Sequence, residues 1–371
     1  MRVEALKLGP SDEVLRKDVA RKYGEICEEI YLKGTYLLGF YTQTLEYALQ
    51  LKFGKKTLAM SSATDCTEAL LRAMGSPSVI FPALSFPSSV LAALKAGCPV
   101  GFVDVDWRTM TIDEDELRDA IKSEYMMGAM EVVFFASYVA GGGYANMQKL
   151  SELGATVVED ISHSFGAMVD GREAGMWGDH VVGSLVATKP FQAGTGGFVM
   201  TSNEDVFKRM EMMREYGRDS SLGSGVLSER GGSWRMSEME AAAARMNMMY
   251  TVDLELEERR TVLRRYEDRL PNLFKWPENV SPNGYRASLI VSDYQYWKDE
   301  LAKRDIGVVG RVYDRPVTEQ PIFHGSFEKM PKAKEWCDHH ICLPCYARLT
   351  VDEQNYVINA VKEIENEQGN A

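Results

Sequence analysis

Three short stretches of this chain carry residue types that could do chemistry. Ser184-Leu185-Val186-Ala187-Thr188-Lys189-Pro190-Phe191 runs from an apolar segment into Gln192-Ala193-Gly194-Thr195-Gly196-Gly197. Lys189 thus ends an apolar strand and enters a glycine-rich turn. Desolvation there lowers an amine's pKa towards neutral and leaves a free base able to attack a carbonyl and form an imine. The second stretch is Glu159-Asp160, two carboxylates at the end of an apolar run, followed by Ile161-Ser162-His163. A carboxylate buried at a strand end needs a cationic partner or a metal, and no Lys or Arg is adjacent in sequence. A ligand with a protonated ring nitrogen is one solution and a metal ion is another. The third stretch, Ser61-Ser62-Ala63-Thr64-Asp65, opens a helix with small polar residues, where backbone N–H groups and the helix dipole can hold a phosphate.

These residues can meet only if strands deliver them to one edge. From about residue 56 to 202 the chain alternates short β-branched or aromatic runs with helical stretches, the pattern of an α/β domain with a largely parallel sheet. Strands are expected over 57–60, 78–81, 100–105, 132–136, 156–158, 181–187 and 197–201, with helices over 64–74, 87–96, 114–123 and 145–153. Such a sheet gathers ligands outside the carboxyl ends of its strands, which is where all three stretches fall. An amphipathic helix is expected over 203–216 and one or two long helices over 236–270. Beyond Pro271 the texture changes to short strands at 286–291 and 307–312 and a closing helix over 351–365; residues 11–51 read as helical. The organisation expected is a large domain over 1–250 and a smaller C-terminal α+β domain over 251–371.

Composition narrows the partners. With 371 residues, 45% hydrophobic and 26% charged, the chain has ordinary globular texture. Its 42 basic and 54 acidic residues give a net charge of −12 without a basic block, which argues against nucleic acid and anionic membrane as partners. The first residues mix Arg2, Glu4, Lys7, Asp12 and Glu13 with no apolar core, so neither a secretory signal nor an anchor is expected, and a cytoplasmic location follows. The six cysteines fit reduced thiols. Cys337, Cys342 and Cys345 near His339 and His340 could suggest zinc, but 341–346 reads as a buried strand with a turn and no metal site is expected.

The order of these motifs resembles the DegT-type sugar aminotransferases, pyridoxal-phosphate enzymes of fold type I. The resemblance runs from Lys33-Gly34 and Gly39 through Ser61 to Thr64, Pro82-Ala83-Leu84-Ser85-Phe86 and Phe102 to Asp106, then Val158 to His163. It continues through Asp170-Gly171-Arg172, Gly175, Gly178-Asp179, Ser184 to Lys189, Gly196-Gly197, Gly232 to Ser237 and Leu343-Pro344. It implies a mostly parallel seven-stranded sheet flanked by helices in the large domain. It also implies pyridoxal 5′-phosphate as cofactor, with Lys189 joined to its aldehyde and then moving the proton, and Asp160 keeping the pyridine nitrogen protonated. Phe86 would stack on the ring, His163 would hydrogen-bond at the cofactor, and Ala63, Thr64, Ser184 and Ser233 would hold the phosphate.

Three positions depart from the family pattern. Ala63 stands where the family usually has Gly, so a turn with positive φ would strain it. Ser233 replaces an Asn that reaches the neighbouring subunit's phosphate. Gln192 to Thr195 replaces a stretch that often ends in Glu-Gly-Gly. Arg235 and Tyr313 are candidates for substrate contact. A related branch that removes a sugar hydroxyl has His at the lysine position, and Lys189 points instead to transamination. The expected reaction moves an amino group from an amino acid, glutamate, to a nucleotide-linked keto sugar. A free keto sugar or keto-cyclitol is the alternative acceptor, and a non-catalytic cofactor-binding regulator or scaffold is the alternative of another class. A homodimer with shared sites is implied as well.

Overall fold

In the computed structural model, which describes residues 1–223, 225–323, 325 and 327–369, the alternating runs form one seven-stranded sheet. Its strands are β1 (Lys56–Met60), β2 (Ser78–Pro82), β3 (Val100–Val103), β4 (Val132–Ser137), β5 (Thr156–Asp160), β8 (His180–Ser184) and β9 (Gly197–Thr201). Between β5 and β8, the short β6 (Met168–Val169) and β7 (Arg172–Glu173) pair outside it, β6 also meeting β10 (Val280–Ser281). The strand order is β1-β9-β8-β5-β4-β2-β3. Only β9 runs antiparallel to its neighbours β1 and β8; the other pairs are parallel. This is the mostly parallel seven-stranded sheet of the sequence reading.

Apolar layers cover both faces. Ile80, Phe134, Ala136, Val157, Val181, Phe198 and Met200 point into one buried cluster, while Val79, Phe81, Val133, Phe135, Val158, Val182 and Val199 point into the other. Alternate residues of each strand thus leave opposite faces, and burial on both sides explains why the strands read as continuous apolar runs. Helices α1 (Glu13–Lys33), α2 (Phe40–Phe53), α3 (Ala63–Ala73), α4 (Pro87–Lys95), α5 (Glu114–Met126), α6 (Met147–Ser151) and α7 (Glu204–Arg214) connect or flank these strands. The region expected as one or two long helices is two, α8 (Glu238–Tyr250) and α9 (Val252–Arg269), which part at Thr251. Helix α9 serves two cores: Val252 and Leu256 pack toward the large sheet, and Val262, Leu263 and Tyr266 toward a third cluster. That cluster lies among β11 (Ala287–Ile290), α10 (Tyr294–Lys303), β12 (His340–Leu343) and α12 (Val351–Gly369), whereas α11 (Pro331–Asp338) packs Trp336 into the sheet core.

Some sequence expectations give way. The strand expected over 181–187 stops at Ser184, and Lys189 lies beyond it on a turn closed by its own N–H to Val186 O (2.9 Å). The helix expected over 145–153 is the shorter α6; the Asn146 side chain at its start does not cap it but pairs with Ile112, Oδ1 accepting from Ile112 N (3.4 Å) and Nδ2 donating to Ile112 O (2.7 Å). No strand forms over 307–312. Gly310 has φ +87°, and although Gly310 O accepts from Cys342 N (2.8 Å), Val312 N donates to the His340 ring rather than to a backbone carbonyl (2.8 Å). A ladder cannot propagate through a side-chain acceptor.

Candidate active site

The carboxyl ends of β1, β2, β5 and β8 open onto a cavity of about 340 Å3, lined by Ala63, Thr64, Phe86, Asp160, His163, Ser184, Lys189 and Tyr313 among others. Eight of the ten residues singled out from sequence therefore meet in one place. The other two, Ser233 and Arg235, do not line it. They form a separate cluster in which Arg235 Nη2 donates to Tyr216 OH (2.8 Å) and to Ser233 Oγ (2.9 Å).

Each site residue has a local reason to be where it is. Ser62 caps α3, its Oγ accepting from Asp65 N at 3.0 Å, so Ala63 and Thr64 offer the free N–H groups of a first helical turn. Ala63 is the first helical residue and is not among those with positive φ, so the expected strain is absent. The start of β9 passes directly beneath: a Cβ on Gly197 would lie 2.3 Å from Ala63 N, which only glycine avoids. Ser184 ends β8, and its Oγ accepts from Val186 N at 3.3 Å. Phe86 caps α4 by position, ahead of Pro87, and its ring is half-exposed on the cavity, not packed in the core.

The two carboxylates of β5 have different fates. Glu159 was expected to share the need for a cation or metal, yet neutral donors satisfy it: the N–H groups of Gly175 (2.9 Å), Trp177 (2.8 Å) and Gly178 (2.7 Å), and Tyr138 OH (2.8 Å). Asp160 is buried facing the cavity, where it accepts from Ser162 N (3.0 Å) and Ser89 Oγ (3.3 Å); burial pushes its pKa up, against the pull of the Ser162 bonds and the nearby Lys189. Among the described residues no cluster of His, Cys, Asp or Glu forms a metal-binding group.

Lys189 reaches into the cavity and donates from Nζ to Tyr285 OH at 3.1 Å. Burial lowers its pKa, and the nearby Arg286 adds to that, while the phenol oxygen and Asp160 oppose it. His163 lies between Tyr285 and Tyr313, with ring centroids 4.7 and 6.0 Å away. Burial, reinforced by the Lys189 and Arg286 cations, drives its pKa well down, so the ring is neutral. Its Nδ1 is buried without a hydrogen-bond partner.

Sequence reasoning missed Tyr285, Arg286 and Asn283. Buried Asn283 donates from Nδ2 to His163 O (2.8 Å) and Phe165 O (3.0 Å) and accepts from Tyr285 N (2.9 Å). It thereby ties the turn after β5 to the far wall. The Pro282-Asn283-Gly284 turn signature was visible, but nothing local linked it to β5.

Comparison with known proteins bears on this arrangement. The model of the DegT/DnrJ/EryC1/StrS aminotransferase family matches residues 18–362. The chain belongs to that family. The aminotransferase reading of the sequence holds, and the family is one of enzymes. Among curated relatives, a "pleiotropic regulatory protein" of Geobacillus stearothermophilus is 25% identical, with 98% of each chain covered. A UDP-4-amino-4,6-dideoxy-N-acetyl-β-L-altrosamine transaminase of Campylobacter jejuni is 24% identical over 82% of this chain and 84% of its own length. Among solved structures, NtdA from Bacillus subtilis with bound cofactor PMP superposes with a TM-score of 0.83 at 20% identity, covering 98% of this chain and 86% of that one. The fold type I architecture is thus shared along nearly the whole chain. Among the described residues no helix is long and apolar enough to cross a membrane.

Proposed function

We propose that this aminotransferase uses pyridoxal 5′-phosphate to move an amino group from an α-amino acid, L-glutamate, to a keto sugar, nucleotide-linked, in amino-sugar biosynthesis. One observation carries the reading: a desolvated lysine amine and a buried carboxylate without a hydrogen-bonded cation face the same cavity. The residues present fit the cofactor. Asp160 has no hydrogen-bonded cation, the orphaned Nδ1 of His163 lacks a partner, and the first turn of α3 has N–H groups to offer.

When bound, the cofactor supplies an aldehyde for an amine and a protonated ring that accepts electron density. Asp160 holds the ring-nitrogen proton, gaining the ion pair that its buried position lacks. Lys189 Nζ, a freer base because burial lowers its pKa, would take the proton from the substrate carbon and hold it for return. Phe86, half-exposed on the cavity, would pack against the ring and exclude water. Neutral His163 accepts or donates one hydrogen bond without adding charge. The N–H groups of Ala63 and Thr64, with Ser184 Oγ, hold the phosphate. Tyr313 faces the substrate side.

Ser233 and Arg235 act, in this reading, on the site of a second copy in a homodimer. The exposed Tyr31, Leu32, Phe40, Tyr47, Leu51 and Met249 on α1, α2 and α8 supply apolar surface for that assembly, which sedimentation measures directly. The regulatory relative favours a second reading, a cofactor-binding regulator without turnover. Spectra before and after adding glutamate separate the two, since only an enzyme converts the cofactor to its amine form. A panel of nucleotide-linked 3-keto and 4-keto sugars, run beside free keto sugars and keto-cyclitols, identifies the acceptor. For the central claim the test is Lys189→Ala: turnover and the absorbance of lysine-bound cofactor both vanish while far-UV dichroism is unchanged. Retained turnover sinks the reading.

A further inference from the structure

The cavity's charges do not balance. Asp160 is a carboxylate that gains a hydrogen-bonded cation from the ring proposed above, and this inference rests on that reading. Arg286 presents the opposite problem. It is half-buried, lines the cavity, and both recorded hydrogen bonds of its guanidinium go to its own neighbour: Nη1 to Tyr285 O (3.2 Å) and Nη2 to Tyr285 OH (3.0 Å). Its plane rests on the Tyr285 ring, 3.9 Å from the centroid, which fixes its direction. Among the described residues no Asp or Glu forms a salt bridge with it. A partly desolvated guanidinium with donors to spare is suited to bidentate binding of an oxyanion.

Its position says which oxyanion. Arg286 Nη2 and Lys189 Nζ donate to the same phenol oxygen, at 3.0 and 3.1 Å, so those two bonds bound the gap between them. In an α-amino acid the amine and the carboxylate share one carbon. A donor whose amine is being processed beside Lys189 therefore carries its carboxylate to Arg286. A sugar nucleotide lacks that relation, because its diphosphate is attached several bonds from the carbon that receives nitrogen. We propose that Arg286 is the residue that recognises the α-carboxylate of the amino donor, with Tyr285 as the platform that orients it.

The test uses cofactor-loaded protein and the two half-reactions separately. In Arg286→Gln, conversion of the cofactor to its amine form by L-glutamate should fall on the order of 100-fold in kcat/KM. The return half-reaction with the keto sugar should change only several-fold, and Arg286→Lys should lie between wild type and Arg286→Gln. Glutarate, a dicarboxylate with no amine to react, gives a readout independent of turnover: calorimetry should show binding to wild type and a similar weakening in Arg286→Gln. Equal losses in both half-reactions, a loss confined to the keto-sugar step, or no glutarate binding to wild type each overturn the assignment and leave the aminotransferase reading intact. If no α-amino acid converts the cofactor in wild type, the broader reading fails instead.

Discussion

The cavity has two walls of different construction. One is made of strand ends: Ala63 and Thr64 after β1, Asp160 at the end of β5, and Ser184 and Lys189 at and after β8, on a sheet in which β5 and β8 are paired on both sides and β1, at the edge, pairs along its length with β9. The other is made of segments outside that sheet: Tyr285 and Arg286 ahead of the two-stranded pair β11–β12, and Val312 and Tyr313 on an irregular stretch beside β12. On the first wall a side chain is aimed by ladders that would have to break together. On the second it is aimed by single bonds, such as Val312 N to His340 Nε2 and Asn283 Nδ2 to His163 O. The groups proposed to move protons occupy the first wall, and those proposed to recognise substrate occupy the second. Segments held by few bonds open more readily, which suits a wall that must admit two different substrates in turn.

Substitutions at the two walls should differ in kind. The largest effect is expected for Asp160→Asn on the sheet wall, with kcat down on the order of 100- to 1000-fold. Its thermal unfolding temperature should stay level or rise, because a buried charge with no cation is removed while Ser162 N keeps its acceptor. A drop in stability alongside activity would mean that Asp160 is structural, and the contrast would collapse.

Acid should act next, and unevenly. His340 donates from Nδ1 to Trp336 O (2.5 Å) and accepts from Val312 N at Nε2, so its ring is neutral and a second proton breaks the Val312 bond. Burial lowers its pKa to about 4 from the ordinary 6.5. The unfolded chain thus takes up a proton first: stability is full above about pH 6.5 and falls as pH drops towards 4, by on the order of 3 kcal/mol. His180 on β8 is lowered to about 4 as well, chiefly by burial, and has the same sign, but its Nδ1 meets Thr201 Oγ1 within the sheet. Hydrogen exchange at pH 5, scaled to the unfolded-chain rate, should therefore reveal opening at 310–313 before β8. Equal protection of both segments would erase the distinction. The smallest effect is expected for Tyr285→Phe, with kcat down about tenfold or less. The phenol oxygen favours protonated Lys189, so its loss should move the acid limb of the pH–rate profile to lower pH. A profile that does not move would separate Tyr285 from the lysine.

The sheet wall was legible in sequence because each of its residues follows an apolar run, and a strand end is a local feature. The alternation along 56–202 even gave the correct set of seven strands. The second wall was less legible for a physical reason. Tyr285 and Arg286 gain their role from Asn283, whose partners at 163 and 165 lie more than a hundred residues earlier. Val312 likewise takes its place from a ring at 340, and periodicity cannot report a bond to a side chain. Tyr313 was found, but only through resemblance. Glu159 shows the opposite error. Two adjacent acids looked alike in sequence, and only the loop 175–178 folding over one of them separates an internally satisfied carboxylate from one left open to a ligand.

The crossing of β9 beneath α3 places a control point behind the proposed phosphate seat. Gly197 touches nothing in the cavity, yet a single methyl there would work as a wedge against Ser62 and Ala63, tilting the first turn of the helix while every group on the cavity side kept its identity. Grip on an anion at that helix start is therefore set from underneath, by the thickness of one residue. Graded substitution at 197 should act as a dial for cofactor retention that leaves the residues proposed to move protons in their places.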